Sequence, residues 1–234
     1  MNFIKNNLAN AFTLGNLFSG CIGAIHLLAG DYLTTAYCIV ISLVLDFFDG
    51  FVARALKANS NLGVQLDSLA DMVSFGLLPG LTMFTMLKNS GITPDYGAYL
   101  GLLITLFSCL RLAIFNIDDE QKFYFKGLNT PSNTILIFGL YFAYQEQQAF
   151  ATIVENPWVL LLITIVSSWL LVSPIKMMAM KFKSKKLKDN IPALVLVLGS
   201  LLILVGLGII GIPLVILYYI LISVIVLPQT KTPQ

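Results

Sequence analysis

The chain has 234 residues, 57% hydrophobic and only 11% charged, with a mean hydropathy of +0.85. So few charges cannot cover a core of this size in water, which excludes the water-soluble classes and leaves lipid as the main solvent. A formal net charge of +2 excludes a nucleic-acid binder, and three scattered cysteines, Cys21, Cys38 and Cys109, exclude a disulfide framework or a Cys-rich metal site.

A helix that crosses the hydrocarbon layer needs about 20 mostly apolar residues. Windows of that kind fall at 10–29, 33–55, 63–87, 97–116, 131–147, 157–173, 191–208 and 210–227. Their unbroken apolar runs lack the alternation of a membrane barrel strand, so the expected fold is an all-α polytopic membrane protein with eight transmembrane helices. The first window follows a short polar start with no small-residue cleavage site and reads as a retained helix, not a signal peptide. Its His26, the chain's single histidine, reads as a packing or hydrogen-bonding residue. The second and third windows carry acids. Between the sixth and seventh lies a basic loop, residues 174–190. The last two windows carry no charge and are joined by a tight turn from Gly208 to Pro213, so residues 191–234 read as an accessory transmembrane hairpin and tail.

Lysine and arginine in short loops set membrane orientation. With the N-terminus inside, thirteen of the fourteen bases fall on the cytoplasmic side and Lys88 alone lies outside. Both termini are then expected to be cytoplasmic, in a multi-pass protein of the cytoplasmic membrane.

Four acids, Asp46, Asp49, Asp67 and Asp71, occupy the second and third windows or their cytoplasmic ends. An ionised carboxylate in a membrane is costly unless it is paired or ligates a metal. At 100° per residue, Asp46, Asp49, Gly50, Ala53 and Arg54 span about 140° of one helix face, and Gly63, Asp67, Asp71 and Ser74 about 80° of the next. The two acidic stripes meet across a short turn, Lys57 to Asn61, and define a pocket open to the cytoplasm. Oxygen donors without His or Cys suit Mg²⁺, Mn²⁺ or Ca²⁺, and four carboxylates balance two divalent cations. Two such ions clamp a phosphoryl group, and Arg54 one turn on suits a phosphate oxygen. A cation transporter using the carboxylates as ion ligands is the alternative from another class. It gives no reason for Gly50, Ala53, Arg54 and Gly63 to accompany the acids.

Asp46, Asp49, Gly50, Ala53, Arg54, Gly63, Asp67 and Asp71 meet every fixed position of D-x-x-D-G-x-x-A-R, eight residues, G-x-x-x-D-x-x-x-D. In this pattern the chain resembles the CDP-alcohol phosphotransferases. The resemblance implies a six-helix catalytic core over residues 1–173, and a homodimer. It implies two divalent cations on Asp46, Asp49, Asp67 and Asp71, with Asp71 also the general base. It places Gly50, Arg54 and Ser60 on the cytidine diphosphate part. Upstream, Asn10, Thr13 and Asn16 resemble the family's P-N-x-x-T-x-x-N segment beside the nucleotide, with Ala9 where proline is usual. The implied reaction is direct displacement: an acceptor hydroxyl attacks the β-phosphorus of a CDP-linked lipid and CMP leaves.

The acceptor is read from Ser108 to Ser132. Arg111 lies inside the fourth window, where it must face the bundle interior and find an anion. The pattern of Ser108, Arg111, Phe115 and Asn116, followed by Phe125, Gly127, Leu128, Pro131 and Ser132, resembles the branch that makes phosphatidylserine from CDP-diacylglycerol and L-serine. Asn129 stands where that branch usually has proline, and Ile114 where a second arginine is common. On this comparison Arg111, Asn116 and Lys126 are candidates for the serine side. Glycerol phosphate or inositol phosphate are the other acceptors of this chemistry.

Overall fold

The computed structural model describes residues 2–56, 61–118, 125–178 and 187–227, with side chains from residue 9 and, in the last segment, from residue 190. Helix α1 (Asn2–Leu28) turns at Gly30 and Asp31 into α2 (Tyr32–Leu56). Asp31 Oδ1 accepts from the Thr34 backbone N–H at 3.0 Å, an N-terminal cap, while its Oδ2 lies 3.0 Å from His26 Nδ1. Hydrogen bonds from Thr34, then the His26 contact, hold the Asp31 carboxyl below the usual carboxylate range. His26 therefore fastens this turn.

Helix α3 (Asn61–Asp71) runs through a π-helical turn (Met72–Leu77) into α4 (Leu78–Asn89). A 3-10 segment (Asp95–Leu102) leads into α5 (Leu103–Ile117). After β1 (Phe125–Lys126) come α6 (Thr130–Gln147), the single turn α7 (Ala151–Val154), α8 (Pro157–Val172) and β2 (Lys176–Met177). Helices α9 (Leu187–Leu207) and α10 (Gly211–Val226) close the described chain.

Each of the eight expected windows is helical. Among the described residues, five helical stretches are long and apolar enough to cross a membrane: Ala9–Leu28, Tyr32–Leu56, Asn61–Asn89, Asp95–Ile117 and Asn190–Val226. The last, of 37 residues, folds back at Gly208–Ile210, since the Tyr218 hydroxyl on α10 donates to the Val195 carbonyl on α9 at 2.9 Å. The windows at 131–147 and 157–173 form the shorter α6 and α8, of 18 and 16 residues. Helix α6 is buried along Asn133, Thr134, Ile137, Phe138, Leu140, Tyr141 and Ala143, so protein and not lipid covers most of it. This is an integral membrane protein built from helices, with one addition to the all-α expectation: β1 and β2 pair antiparallel, Phe125 opposite Met177 and Lys126 opposite Lys176.

The main core gathers Leu27, Leu78, Met83, Leu87, Ile104, Ile137, Leu160 and Leu171 from α1, α4, α5, α6 and α8. A second cluster, Leu128, Met177, Met178, Leu196, Ile216 and Tyr219, joins the α9–α10 hairpin to the strand pair. Outward-facing side chains such as Phe18, Trp158, Leu202 and Val205 are exposed apolar groups on a lipid-facing surface.

Polar side chains tie the bundle together where no water can. Ser19 on α1 donates to the Cys38 carbonyl, and Thr35 on α2 donates to the Gly23 and Asp31 carbonyls. Cys38 is buried, whereas Cys21 and Cys109 are exposed on the outer surface, and all three are free thiols.

Candidate active site

Asp46 and Asp49 lie in the last three turns of α2, and Asp67 and Asp71 in the second half of α3. One carboxylate oxygen from each of Asp46, Asp49 and Asp67 lies within 4.8 Å of the others. Asp49 Oδ2 and Asp67 Oδ1 are buried with no hydrogen-bond partner among the described residues. Buried polar atoms are almost always satisfied, so orphaned carboxylate oxygens at this spacing fit a hard divalent cation as their missing partner.

Asp71 lies outside that triad, one turn further along α3 and almost fully buried. Its Oδ1 accepts from Asn16 Nδ2 at 3.2 Å. The α-helix ends at this residue. In the π turn that follows, the Leu78 N–H reaches back to the Val73 carbonyl, five residues away. Neighbouring helices supply hydroxyl donors to its carbonyls: Thr134 on α6 donates to Phe75 O at 3.1 Å, and Thr105 on α5 to Gly76 O at 3.0 Å. Those bonds satisfy a helix distortion that would be costly in an apolar interior. Ser74 faces the same residue of α1 as Asp71: its hydroxyl donates to the Asn16 carbonyl at 3.0 Å. Gly20 makes that approach possible, because a Cβ there would collide with Ser74 Oγ and come within 3.0 Å of Ser74 Cα. Asn16 thus touches α2 and the π turn as well as Asp71, since Ser42 also donates to its carbonyl, at 3.3 Å.

Two cavities flank the carboxylates. The smaller, about 160 Å³, lies among α1, α2 and α3 and is lined by Asn10, Thr13, Asp49, Gly50, Ala53, Arg54, Gly63 and Asp67. The larger, about 370 Å³, is lined by all four aspartates, Gly50, Arg54, Arg111, Phe115, Phe125, Asn129, Thr130 and Pro131. Asp49, Gly50, Arg54 and Asp67 belong to both, so the two cavities share a wall. A Cβ on Gly50 would lie 3.2 Å from Arg54 Nη1, so the missing side chain lets the guanidinium lie back over the helix. Arg111 is buried at 4% exposure, with its guanidinium carbon 5.4 Å from the centre of the Phe115 ring.

Of the residues expected on the nucleotide side, Asn10, Thr13, Gly50 and Arg54 line the smaller cavity, while Asn16 sits behind Asp71. Ser60 lies outside the described residues. On the acceptor side Arg111 reaches the larger cavity. Asn116 and Lys126 are absent from its lining: Asn116 exchanges hydrogen bonds with Ser68 at 2.9 and 3.2 Å, and Lys126 pairs with Asp118 at 2.9 Å. Sequence reasoning assigned no site role to Phe125, Asn129 or Thr130. Phe125 reaches the wall through the strand pair, and Asn129 Oδ1 caps α6 by accepting from the Ser132 N–H at 2.7 Å. The Asn129-Thr130-Pro131 run, a cap followed by proline in the first turn, is the signal that marks this helix start.

The model of the CDP-alcohol phosphatidyltransferase family matches residues 6–173. The chain belongs to that family. The matched span of this CDP-alcohol phosphatidyltransferase family member ends before α9 and α10, and membership in a transferase family disfavours the cation-transport alternative. The chain is 34% identical over 131 residues to the CDP-diacylglycerol–serine O-phosphatidyltransferase of Helicobacter pylori strain J99, covering 55% of this chain and 54% of that protein. It is 32% identical over 171 residues to the protein of the same name from Bacillus subtilis, covering 73% and 89%. The Saccharomyces cerevisiae protein of that name is 29% identical over 163 residues, covering 63% and 58%. The chain thus spans about half the length of the Helicobacter relative and most of the Bacillus one.

Proposed function

We propose that the chain transfers the phosphatidyl group of CDP-diacylglycerol to the hydroxyl of L-serine, releasing CMP. The observation that carries this reading is the wall of aspartates shared by two cavities. Asp49, Gly50, Arg54 and Asp67 line both cavities; Asn10 and Thr13 belong to the smaller alone, and Asp46, Asp71 and the buried Arg111 to the larger alone. A two-substrate displacement needs that arrangement, with donor and acceptor meeting at one phosphorus. The names of the relatives favour serine as the acceptor.

In this reading the cytidine diphosphate part occupies the smaller cavity beside Asn10, Thr13 and Gly50, with Arg54 and Ser60 contacting it and Arg54 on a phosphate oxygen. Serine enters the larger cavity, and its carboxylate pairs with the planar fork of Arg111. Asp71, oriented by Asn16, accepts the hydroxyl proton. The serine oxygen then forms its bond to the β-phosphorus as the bond to the CMP oxygen breaks, and CMP leaves with that electron pair. Two divalent cations, Mg²⁺ or Mn²⁺, with Ca²⁺ also suited to the donors, would be held by Asp46, Asp49, Asp67 and Asp71 and would stabilise charge developing on the phosphoryl oxygens. The distribution of lysine and arginine supports a cytoplasmic opening.

The test offers purified protein CDP-diacylglycerol with L-serine, glycerol 3-phosphate or inositol phosphate in parallel and follows CMP. Release with serine alone supports the reading. Release with either phosphorylated alcohol and not with serine overturns it.

A further inference from the structure

Helices α9 and α10 lie outside the family match, yet α10 grips the chain that forms one wall of the larger cavity. Tyr219 and Ser223, one turn apart on α10, take the two backbone polar groups of one residue. The Tyr219 hydroxyl donates to the Met178 carbonyl at 2.9 Å, and the Met178 N–H donates to Ser223 Oγ at 3.2 Å. Tyr219 is 8% exposed and Ser223 is fully buried, so water does not compete for either bond. Met178 directly follows β2, and β2 pairs with β1, which carries Phe125. The Phe125 ring lies 6.0 Å from the Phe115 ring, which in turn lies under the Arg111 guanidinium. Phe125, Phe115 and Arg111 all line the larger cavity, and none lines the smaller one.

We propose that the C-terminal hairpin is the positioning device of the acceptor cavity: Tyr219 and Ser223 clamp Met178, and through the strand pair they set Phe125 and the Phe115–Arg111 stack. The proposal rests on the reading that the acceptor alcohol occupies the larger cavity. Tyr219 and Ser223 line neither cavity and hold the backbone of Met178, and Tyr219 also lies close enough to Arg111 to interact with it electrostatically. Their loss therefore weakens acceptor binding and leaves donor binding unchanged, because the nucleotide cavity is built from α1, α2 and α3 alone.

The experiment uses the purified full chain and the variants Tyr219→Phe, Ser223→Ala and the double variant. Each substitution removes one hydroxyl and little volume. KM for serine rises about fivefold per lost hydrogen bond, while KM for CDP-diacylglycerol stays unchanged. Ser223→Thr, which keeps the acceptor oxygen, retains the wild-type serine KM. An equal rise in both KM values, or an unmoved serine KM, overturns the proposal. Hydrogen exchange gives a readout independent of turnover. The amides of residues 125–128 exchange faster in the double variant and those of 61–71 do not, whereas unchanged exchange at 125–128 overturns the clamp. If the wild-type protein uses another alcohol, the serine reading fails, and the same KM comparison for that alcohol together with the exchange data still decides the clamp.

Discussion

Asn16 donates a hydrogen bond of 3.2 Å to the Asp71 carboxylate across 55 residues of sequence. Both residues are buried, and the Asn16 backbone carbonyl is itself held by Ser42 and Ser74. The amide is therefore a fixed donor that orients one oxygen of the proposed base and leaves the other free to take a proton. Asn16→Ala should lower kcat about tenfold or more, the scale of one hydrogen bond to a charged group, with little change in either KM. A variant with wild-type kcat would remove the orienting role.

Asp71→Asn keeps the shape of the side chain and removes its capacity to accept a proton. Turnover should fall by about 10²-fold or more, the typical contribution of a positioned base. The Asn16 contact involves an oxygen that asparagine also provides, so the thermal midpoint in detergent should change little. Wild-type turnover in this variant would rule out Asp71 as the base.

The orphaned oxygens of Asp49 and Asp67 make metal binding measurable without substrate. A ligand that binds only the folded state raises the unfolding midpoint, by an amount that grows with the logarithm of its concentration above Kd. Mn²⁺ or Mg²⁺ should raise the midpoint of the wild-type protein, and EDTA should reverse the shift and stop turnover. Asp49→Asn and Asp67→Asn should each lose most of that shift. A shift of wild-type size in both variants would place the ion elsewhere.

Gly127 has φ +76°, and a Cβ there would lie 2.5 Å from the Leu171 carbonyl oxygen and 2.8 Å from that of Leu170. Its N–H donates to Ile175 O at 2.8 Å and the Leu128 N–H donates to Leu170 O at 2.9 Å, so the loop cannot move away cheaply. Gly127→Ala should destabilise the protein by about 1–3 kcal/mol, the scale of a strained backbone plus a displaced contact. Because this loop carries Phe125, serine KM should rise with the loss of stability. Unchanged stability in thermal unfolding would contradict the close approach.

The helices and the carboxylates were legible because each rests on a local pattern: apolar runs of membrane length, and aspartates spaced to share a helix face. Asp46, Asp49 and Asp67 do converge. The π turn was not legible, since nothing in Met72-Val73-Ser74 breaks helical periodicity. The distortion depends on donors from Thr105 and Thr134, about 30 and 60 residues away. The acceptor side was harder still. Lys126 and Asn116 have the right chemistry, but Asp118 and Ser68 lie within reach and take them. Phe125 arrives at the cavity only through pairing with residues fifty positions later, which no local pattern announces.

Serine transfer is measured by supplying purified protein with CDP-diacylglycerol, Mg²⁺ or Mn²⁺ and labelled L-serine and counting both products. One labelled phosphatidylserine should form for each CMP released, with neither product when serine or the cation is withheld. CMP released at the same rate without serine, or labelled serine left untouched while another alcohol is consumed, would contradict serine transfer.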